Sequence, residues 1–254
     1  MSQYVTEWGR KAADLYATDY ARRYREHDEE LSHVEAYRAF CEWLGDICGR
    51  FAGAGRAIDV LDIGCGTGRY FAALRNVNEL VGLDASEAML AEAANPVGAD
   101  HITAKTIQLV QGDALTHRFL PGSFDLIYSI GVLAEHTPFD DRIVGNVSSW
   151  LRPGGRFAFT TVHPDSASIP KTLGRRLGHA MLPMSPPLLR HWLRARLTAG
   201  GQYADEMLIA ERLESRFSIE SMTRIESEAH LHCLCVAKKA GEAGRAGEAG
   251  RAGR

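Results

Sequence analysis

The stretch "VLDIGCGTGRY", residues 60–70, constrains this chain more than any other: an apolar run carrying one acid empties into glycines at alternate positions. Gly64, Gly66 and Gly68 strip every Cβ from one side of a turn, which packing alone does not require. Such a turn between a parallel strand and a helix lies at the carboxyl edge of an α/β sheet, where these folds bind ligands. From "IDVLDIG" onward, short β-branched or apolar runs alternate with helix-length segments. Strands are expected at 58–63, 80–84, 107–111, 124–130 and 156–162, with a helix at 203–216 and two late strands near 222–226 and 230–237. That alternation predicts βαβ units, hence an α/β, Rossmann-like, doubly wound, seven-stranded and mostly parallel sheet.

Two helices are expected before the first strand. Residues 7–50 lack proline and place Tyr16, Tyr20 and Tyr24 at helical spacing on one face, giving an N-terminal helical cap over 1–50. The main domain then runs from 51 to 239. Within it, the proline-rich segment 163–200 is too long for a βα loop and reads as an inserted helical lid. "LRPGG" reads as a turn into the fifth strand. The last fifteen residues, 240–254, repeat Gly, Glu, Ala and Arg and bury too little apolar surface to order themselves.

With 29 Lys+Arg against 32 Asp+Glu the net charge is −3, so no general attraction to nucleic acid or anionic membrane is expected. The five cysteines show no metal-binding spacing and fit reduced, packed thiols, so no metal is expected. No targeting segment and no run of about 18 apolar residues is present, which gives the expectation of a cytoplasmic protein without stable membrane association.

The glycine spacing is G-x-G-x-G rather than the dinucleotide G-x-G-x-x-G, and Arg69 and Tyr70 stand where a phosphate-binding loop needs Lys and Ser or Thr. Asp62, two residues before the first glycine, repels a pyrophosphate and attracts an ammonium or sulfonium. Asp84, ending the second strand, is an acceptor that suits both hydroxyls of a ribose; capping the helix begun by "SEAML" is its plainer role. Asp113, after the third strand, is placed either to accept from the exocyclic amine of adenine or simply to make a turn. An adenosine with a cationic tail and no phosphate describes S-adenosylmethionine.

With these residues in view, the chain resembles the class I S-adenosylmethionine-dependent methyltransferases, in particular the small-molecule branch that includes the ubiquinone and menaquinone enzymes. Four motifs in order carry the resemblance, "VLDIGCGTG", "GLDASEAML", "GDA" and "FDLIYSIGVLAEH", followed by "LRPGGRFAFT". It implies that Gly64, Cys65, Gly66, Thr67 and Gly68 wrap the methionine part, with Asp62 holding its amino group. Asp84 and Ala85 then belong to the ribose site. Met89 packs on the adenine, Asp113 and the Ala114 amide read its edge, and Ser129 and Ile130 lie near the methyl donor. In related enzymes N-terminal helices fold over the cofactor, a role open here to Tyr16 and Tyr24.

The expected activity is methyl transfer to oxygen or nitrogen of a small molecule, mainly by positioning. His136 and His163 are the base candidates, each with a structural alternative, and Glu135 is a further lining candidate. A cofactor-binding protein without methylating activity, or a tRNA or protein methyltransferase, stays open as the alternative. Lys171, Arg175, Arg176, Arg190, Arg194 and Arg196 make the lid basic and amphipathic. This suits a solvated face, a grip on an acidic and apolar acceptor, or a lipid-skimming surface.

Overall fold

The computed structural model describes residues 5–51, 53, 55–166, 186, 203–227 and 230–240. Its frame is a seven-stranded sheet: β1 (Ile58–Ile63), β2 (Val77–Asp84), β3 (Thr106–Gln111), β4 (Phe124–Ser129), β5 (Leu151–Val162), β6 (Phe217–Glu226) and β7 (Leu231–Lys239), in the order β3-β2-β1-β4-β5-β7-β6. The first five strands pair in parallel, and β7 runs antiparallel between β5 and β6. β1 is paired with β2 on one side (Leu61 with Val81) and with β4 on the other (Leu61 with Ile127), so the strand order reverses there. A crevice at the carboxyl ends of β1 and β4 follows from that reversal.

The central strands are apolar almost throughout because both faces are covered. On one face Leu61, Ile63, Ile127, Phe157 and Phe159 pack against α5 (Asp141–Trp150) and α6 (Glu206–Leu213). On the other, Ile58, Val60, Leu80 and Leu126 pack against Leu44, Ile47 and Cys48 of α3 (Glu35–Gly49) and Leu90 of α4 (Glu87–Ala93). Each fully buried Leu, Ile or Phe contributes ~1.5–3 kcal/mol of transfer free energy.

Several details depart from the sequence reading. Among the described residues three α-helices precede β1, α1 (Glu7–Leu15), α2 (Thr18–Asp28) and α3, with a 3-10 turn, Leu31–His33, between the last two. Tyr16 falls in the break between α1 and α2, so the three tyrosines do not share one helix. The helix expected after the glycine turn is a single 3-10 turn, Phe71–Ala73, and α3 covers that part of the sheet. Pro153-Gly154-Gly155 lies inside β5 as a bulge: Phe124 pairs with Leu151, whereas Leu126 pairs with Arg156. Gly154 is there at φ +76°, and a Cβ on Gly155 would stand 2.9 Å from the Asp125 carbonyl oxygen. The lid, with Lys171, Arg175, Arg176, Arg190, Arg194 and Arg196, and the repeat over 241–254 lie outside the described residues. No helix among the described residues is long and apolar enough to cross a membrane.

The N-terminal helices reach the glycine turn through one buried carboxylate. Asp28, 5% exposed at the end of α2, accepts from the Thr67 hydroxyl and from Arg69 Nε at 2.7 Å. The Arg69 guanidinium also lies over the Tyr24 ring, 4.2 Å from its centroid. Replacing Asp28 leaves a largely buried guanidinium without its counter-charge. Asp28→Ala is expected to lower stability by about 3–5 kcal/mol, read from urea unfolding midpoints, with Asp28→Asn retaining part of the loss-free hydrogen bonding to Thr67.

Candidate active site

Two adjacent hollows open at the carboxyl edge of β1 and β4, and Tyr16, Tyr24, Gly64, Gly66, Ile130, Gly131 and His136 stand in the walls of both. Their floor is the glycine turn. Gly64 has φ +73°, and a Cβ there would come within 2.3 Å of Val132 Cγ2. Gly66 has φ +54°, and the space where its Cβ would stand is open, with no heavy atom within 4 Å. Its N–H donates to Asp84 Oδ2 at 2.9 Å, which ties the turn to the end of β2. Gly68 differs: its missing Cβ would meet Phe71 and Pro96, so this glycine shapes the turn from behind and lines neither hollow.

The first hollow is lined by Asp84, Ala85, Met89, Gly112, Asp113 and Ala114 on the sheet side and roofed by Gly9 and Ala12 of α1. Asp84 accepts from the amides of Gly66 and Ser86, and burial raises its carboxyl above the ordinary range. The helix cap falls to Ser86, whose hydroxyl accepts from the Met89 amide and donates to the Tyr16 carbonyl at 2.6 Å. Asp113 is less available than expected. Its Oδ2 takes both the amide of Thr6, at 2.9 Å, and the Thr6 hydroxyl, and its Oδ1 takes the Leu115 amide at 2.9 Å. Docking α1 therefore uses most of its acceptor capacity. α1 comes so close that a Cβ on Gly9 would lie 2.5 Å from Asp113 Oδ2.

Asp62, Cys65, Thr67 and Glu135 stand in the walls of the second hollow. Burial pushes Asp62 up to about 8, against the lowering influence of the nearby Tyr128 hydroxyl, and the charge of Asp84 adds to the rise. Cys65 contributes backbone only: Gly82 makes room for its sulfur in the core, 2.9 Å from where a Cβ on Gly82 would be. Thr67 spends its hydroxyl on Asp28. Ser129 is wholly buried and donates to the Ile63 carbonyl at 2.9 Å, binding β4 to β1, and it lines neither hollow.

His136 and Glu135 are presented by a tight turn. Ala134, buried and not a glycine, has φ +68°; its amide donates to the Thr137 carbonyl, and the His136 amide to that of Val132, each at 2.8 Å. His136 Nε2 shares a 2.9 Å hydrogen bond with the Tyr16 hydroxyl, and burial lowers its pKa, which favours the neutral ring. Glu135 Oε1 is buried with no hydrogen-bond partner, and burial pushes its carboxyl up to about 7.

His163 lies elsewhere. It is buried with its Nδ1 accepting from the Asp165 amide at 3.0 Å and its Nε2 at 3.4 Å from Glu206 Oε2, while the other Glu206 oxygen pairs with Arg224. With Cys233 these form a His–Glu–Cys group, but the Nδ1 hydrogen bond puts the neutral ring's proton on Nε2, where a metal would need a lone pair. Sequence reasoning missed Thr6, Gly9 and Asp28, and also Tyr37, Phe40, Tyr70 and His232 of the second hollow, because no local pattern announces contacts made across such sequence distances. Tyr20, third of the tyrosines, is 44% exposed.

Residues 60–155 match the family described as "Methyltransferase domain". Among curated relatives, the chain is 39% identical over 102 residues to trans-aconitate 2-methyltransferase of Deinococcus radiodurans, covering 39% of this chain and 36% of that one. It is 32% identical over 126 residues to demethylmenaquinone methyltransferase of Lactococcus lactis, covering 48% and 46%. The chain thus spans less than half the length of these relatives. In fold it is similar to magnesium protoporphyrin IX methyltransferase from Synechocystis, solved with bound S-adenosylhomocysteine, at TM-score 0.60 and 17% identity over 91% of this chain and 99% of that one.

The Glu135 carboxyl has a stability consequence of definite sign. Between its ordinary value of 4.5 and its folded value of about 7, the folded protein keeps a proton that the unfolded chain has released. Stability therefore falls as pH rises through that window, and above it the whole penalty, up to about 3 kcal/mol, is present. Glu135→Gln is expected to exceed the wild type in urea stability at pH 8 and to match it near pH 4.5.

Proposed function

We propose, from the match of residues 60–155 to a methyltransferase domain, that this chain is a class I S-adenosylmethionine-dependent methyltransferase, with S-adenosylmethionine as cofactor, and that it methylates oxygen or nitrogen of a small-molecule acceptor. The observation that carries the reading is the pair Asp62 and Asp84, at the ends of β1 and β2, flanking a Gly66 backbone that opens onto space a Cβ would fill. The donor set suits the cofactor. Asp84 keeps lone pairs for the ribose hydroxyls after bonding the Gly66 and Ser86 amides, and Asp62 is a buried carboxylate facing the hollow where the amino-acid part would lie. Met89, Ala85 and the backbone at 112–114 give the first hollow an apolar bed for the adenine.

Bound there, the cofactor supplies a methyl group made electrophilic by its sulfonium. The chain's own part is to hold and to exclude water. α1 and α2 roof the hollows, Asp28 and Asp113 anchor that roof, and Tyr16 and Ile130 stand where the two hollows meet. Alignment of the reacting groups is worth ~7–11 kcal/mol in well-oriented systems, whereas a single base adds about 3–5 kcal/mol. For a hydroxyl acceptor the base we assign is His136, neutral, hydrogen-bonded to Tyr16 and on the walls of both hollows; His163, in its own buried group, lines neither.

Calorimetric titration tests this reading. Wild-type protein is expected to bind both S-adenosylmethionine and S-adenosylhomocysteine, and Asp84→Ala to lose about 1.5–3 kcal/mol, roughly ten- to a hundredfold in affinity. Flat titrations of folded wild type would remove the proposal. Labelled methyl appearing in macromolecules rather than small molecules would redirect it, and binding with no transfer to any acceptor pool would favour a non-methylating role.

A further inference from the structure

The walls of the second hollow specify the acceptor more closely than the fold does. Tyr24, Tyr37, Phe40 and Tyr70 give it aromatic sides, with the stacked pair Tyr37 and Tyr70 at 5.7 Å and Phe40 edge-on to Tyr70 at 6.3 Å. Four histidines, His27, His136, His230 and His232, also stand on its walls, and burial shifts His136 and His232 toward the neutral ring, His232 to about 4. Arg69, an arginine on this wall, is committed to Asp28 and stacked on Tyr24. The acids are Asp62 and Glu135. Such a chamber, among the described residues, welcomes a cation on cation–π grounds, and once Glu135 is ionised, above about pH 7, on electrostatic grounds as well.

The acids also divide by role. This step rests on the cofactor reading above: Asp84 serves the ribose hydroxyls and Asp62 the amino group of the cofactor, which leaves Glu135 without a partner. Its Oε1 is buried and unbonded, and the left-handed Ala134 turn holds it at the wall. We propose that the second hollow takes a small amine with an apolar body, its ammonium held by Glu135 among the aromatic rings and deprotonated by that carboxylate. In that step an N–H bond breaks, its electron pair stays on nitrogen as the nucleophilic lone pair, and an O–H bond forms on Glu135. The products are a neutral amine beside a neutral acid, a pair that a buried site holds more cheaply than two charges. The upward shift of the Glu135 carboxyl, caused by burial, accords with this.

The test uses the full chain saturated with S-adenosylhomocysteine at pH 8, titrated with 2-phenylethylamine, 2-phenylethanol and 3-phenylpropionate, which share a ring and differ in the charge of the head group. The amine is expected to bind at least tenfold more tightly than the alcohol, and the carboxylate most weakly. In Glu135→Gln the advantage of amine over alcohol should vanish, with alcohol binding retained. The inference is overturned if wild type binds alcohol or carboxylate as well as the amine, or binds none of the three. It is also overturned if Glu135→Gln weakens S-adenosylmethionine but not S-adenosylhomocysteine, since the carboxylate then faces the sulfonium. S-adenosylhomocysteine binding without an amine preference sinks only the amine; no S-adenosylhomocysteine binding sinks the cofactor reading beneath it.

Discussion

Asp28 joins two parts of the molecule that share no sheet hydrogen bonds. Its carboxylate sits between the Thr67 hydroxyl and the Arg69 guanidinium, so the helices before β1 are fixed to the turn after it. Because Arg69 is paired with Asp28 and stacked on Tyr24, the positive charge it brings to the wall of the hollow is offset by a carboxylate. One buried ion pair thereby sets the position of the roof and the electrical character of the space beneath. Breaking such a pair costs far more than forming it gains, which makes it an effective way to specify one arrangement.

The acids around the site form a graded series. Asp28 is paired with a cation, Asp113 is saturated by Thr6 and Leu115, and Asp84 is half engaged by two amides. Asp62 and Glu135 are buried with the least compensation, and they carry the upward shifts to about 8 and about 7. Desolvation without a counter-charge is what drives both. Carboxylates that hold helices are matched by donors, whereas the two without such partners are pushed toward their neutral, protonated form.

Much of this was legible in the sequence, for identifiable reasons. Strands β1, β2 and β4 announce themselves as apolar runs because both their faces are covered, the exposed edge strand β3 by its β-branched residues, and the glycine turn because no packing role explains alternate glycines. Asp62 and Asp84 follow from their places at strand ends. What was not legible depends on contacts distant along the chain. Nothing near Asp113 reveals that Thr6 occupies it, and nothing near Gly9 reveals that the carboxylate presses on its Cα. Ser129 looked like a site residue from its position, yet its hydroxyl closes a β1–β4 contact. His163 sat at the expected edge, but the β5–β7 pairing and α6 draw it into a separate buried group. The break at Tyr16 escaped the helical spacing because periodicity counts residues and does not see a capped end.

The nine-residue helix α1 has a glycine, Gly9, near its start and is too short to persist alone in water. Its N-cap hydroxyl, from Thr6, is the same group that reaches Asp113, and Gly9 is the residue whose bareness lets the helix come close. Helicity and docking are therefore one event. Away from the sheet this segment keeps its local Thr6–Gly9 cap but loses the Asp113 carboxylate, and nine residues with one cap are a marginal helix in water. Holding the roof of the first hollow in place and keeping α1 helical are therefore coupled through one carboxylate, and the chain entropy of a short helix bears on both.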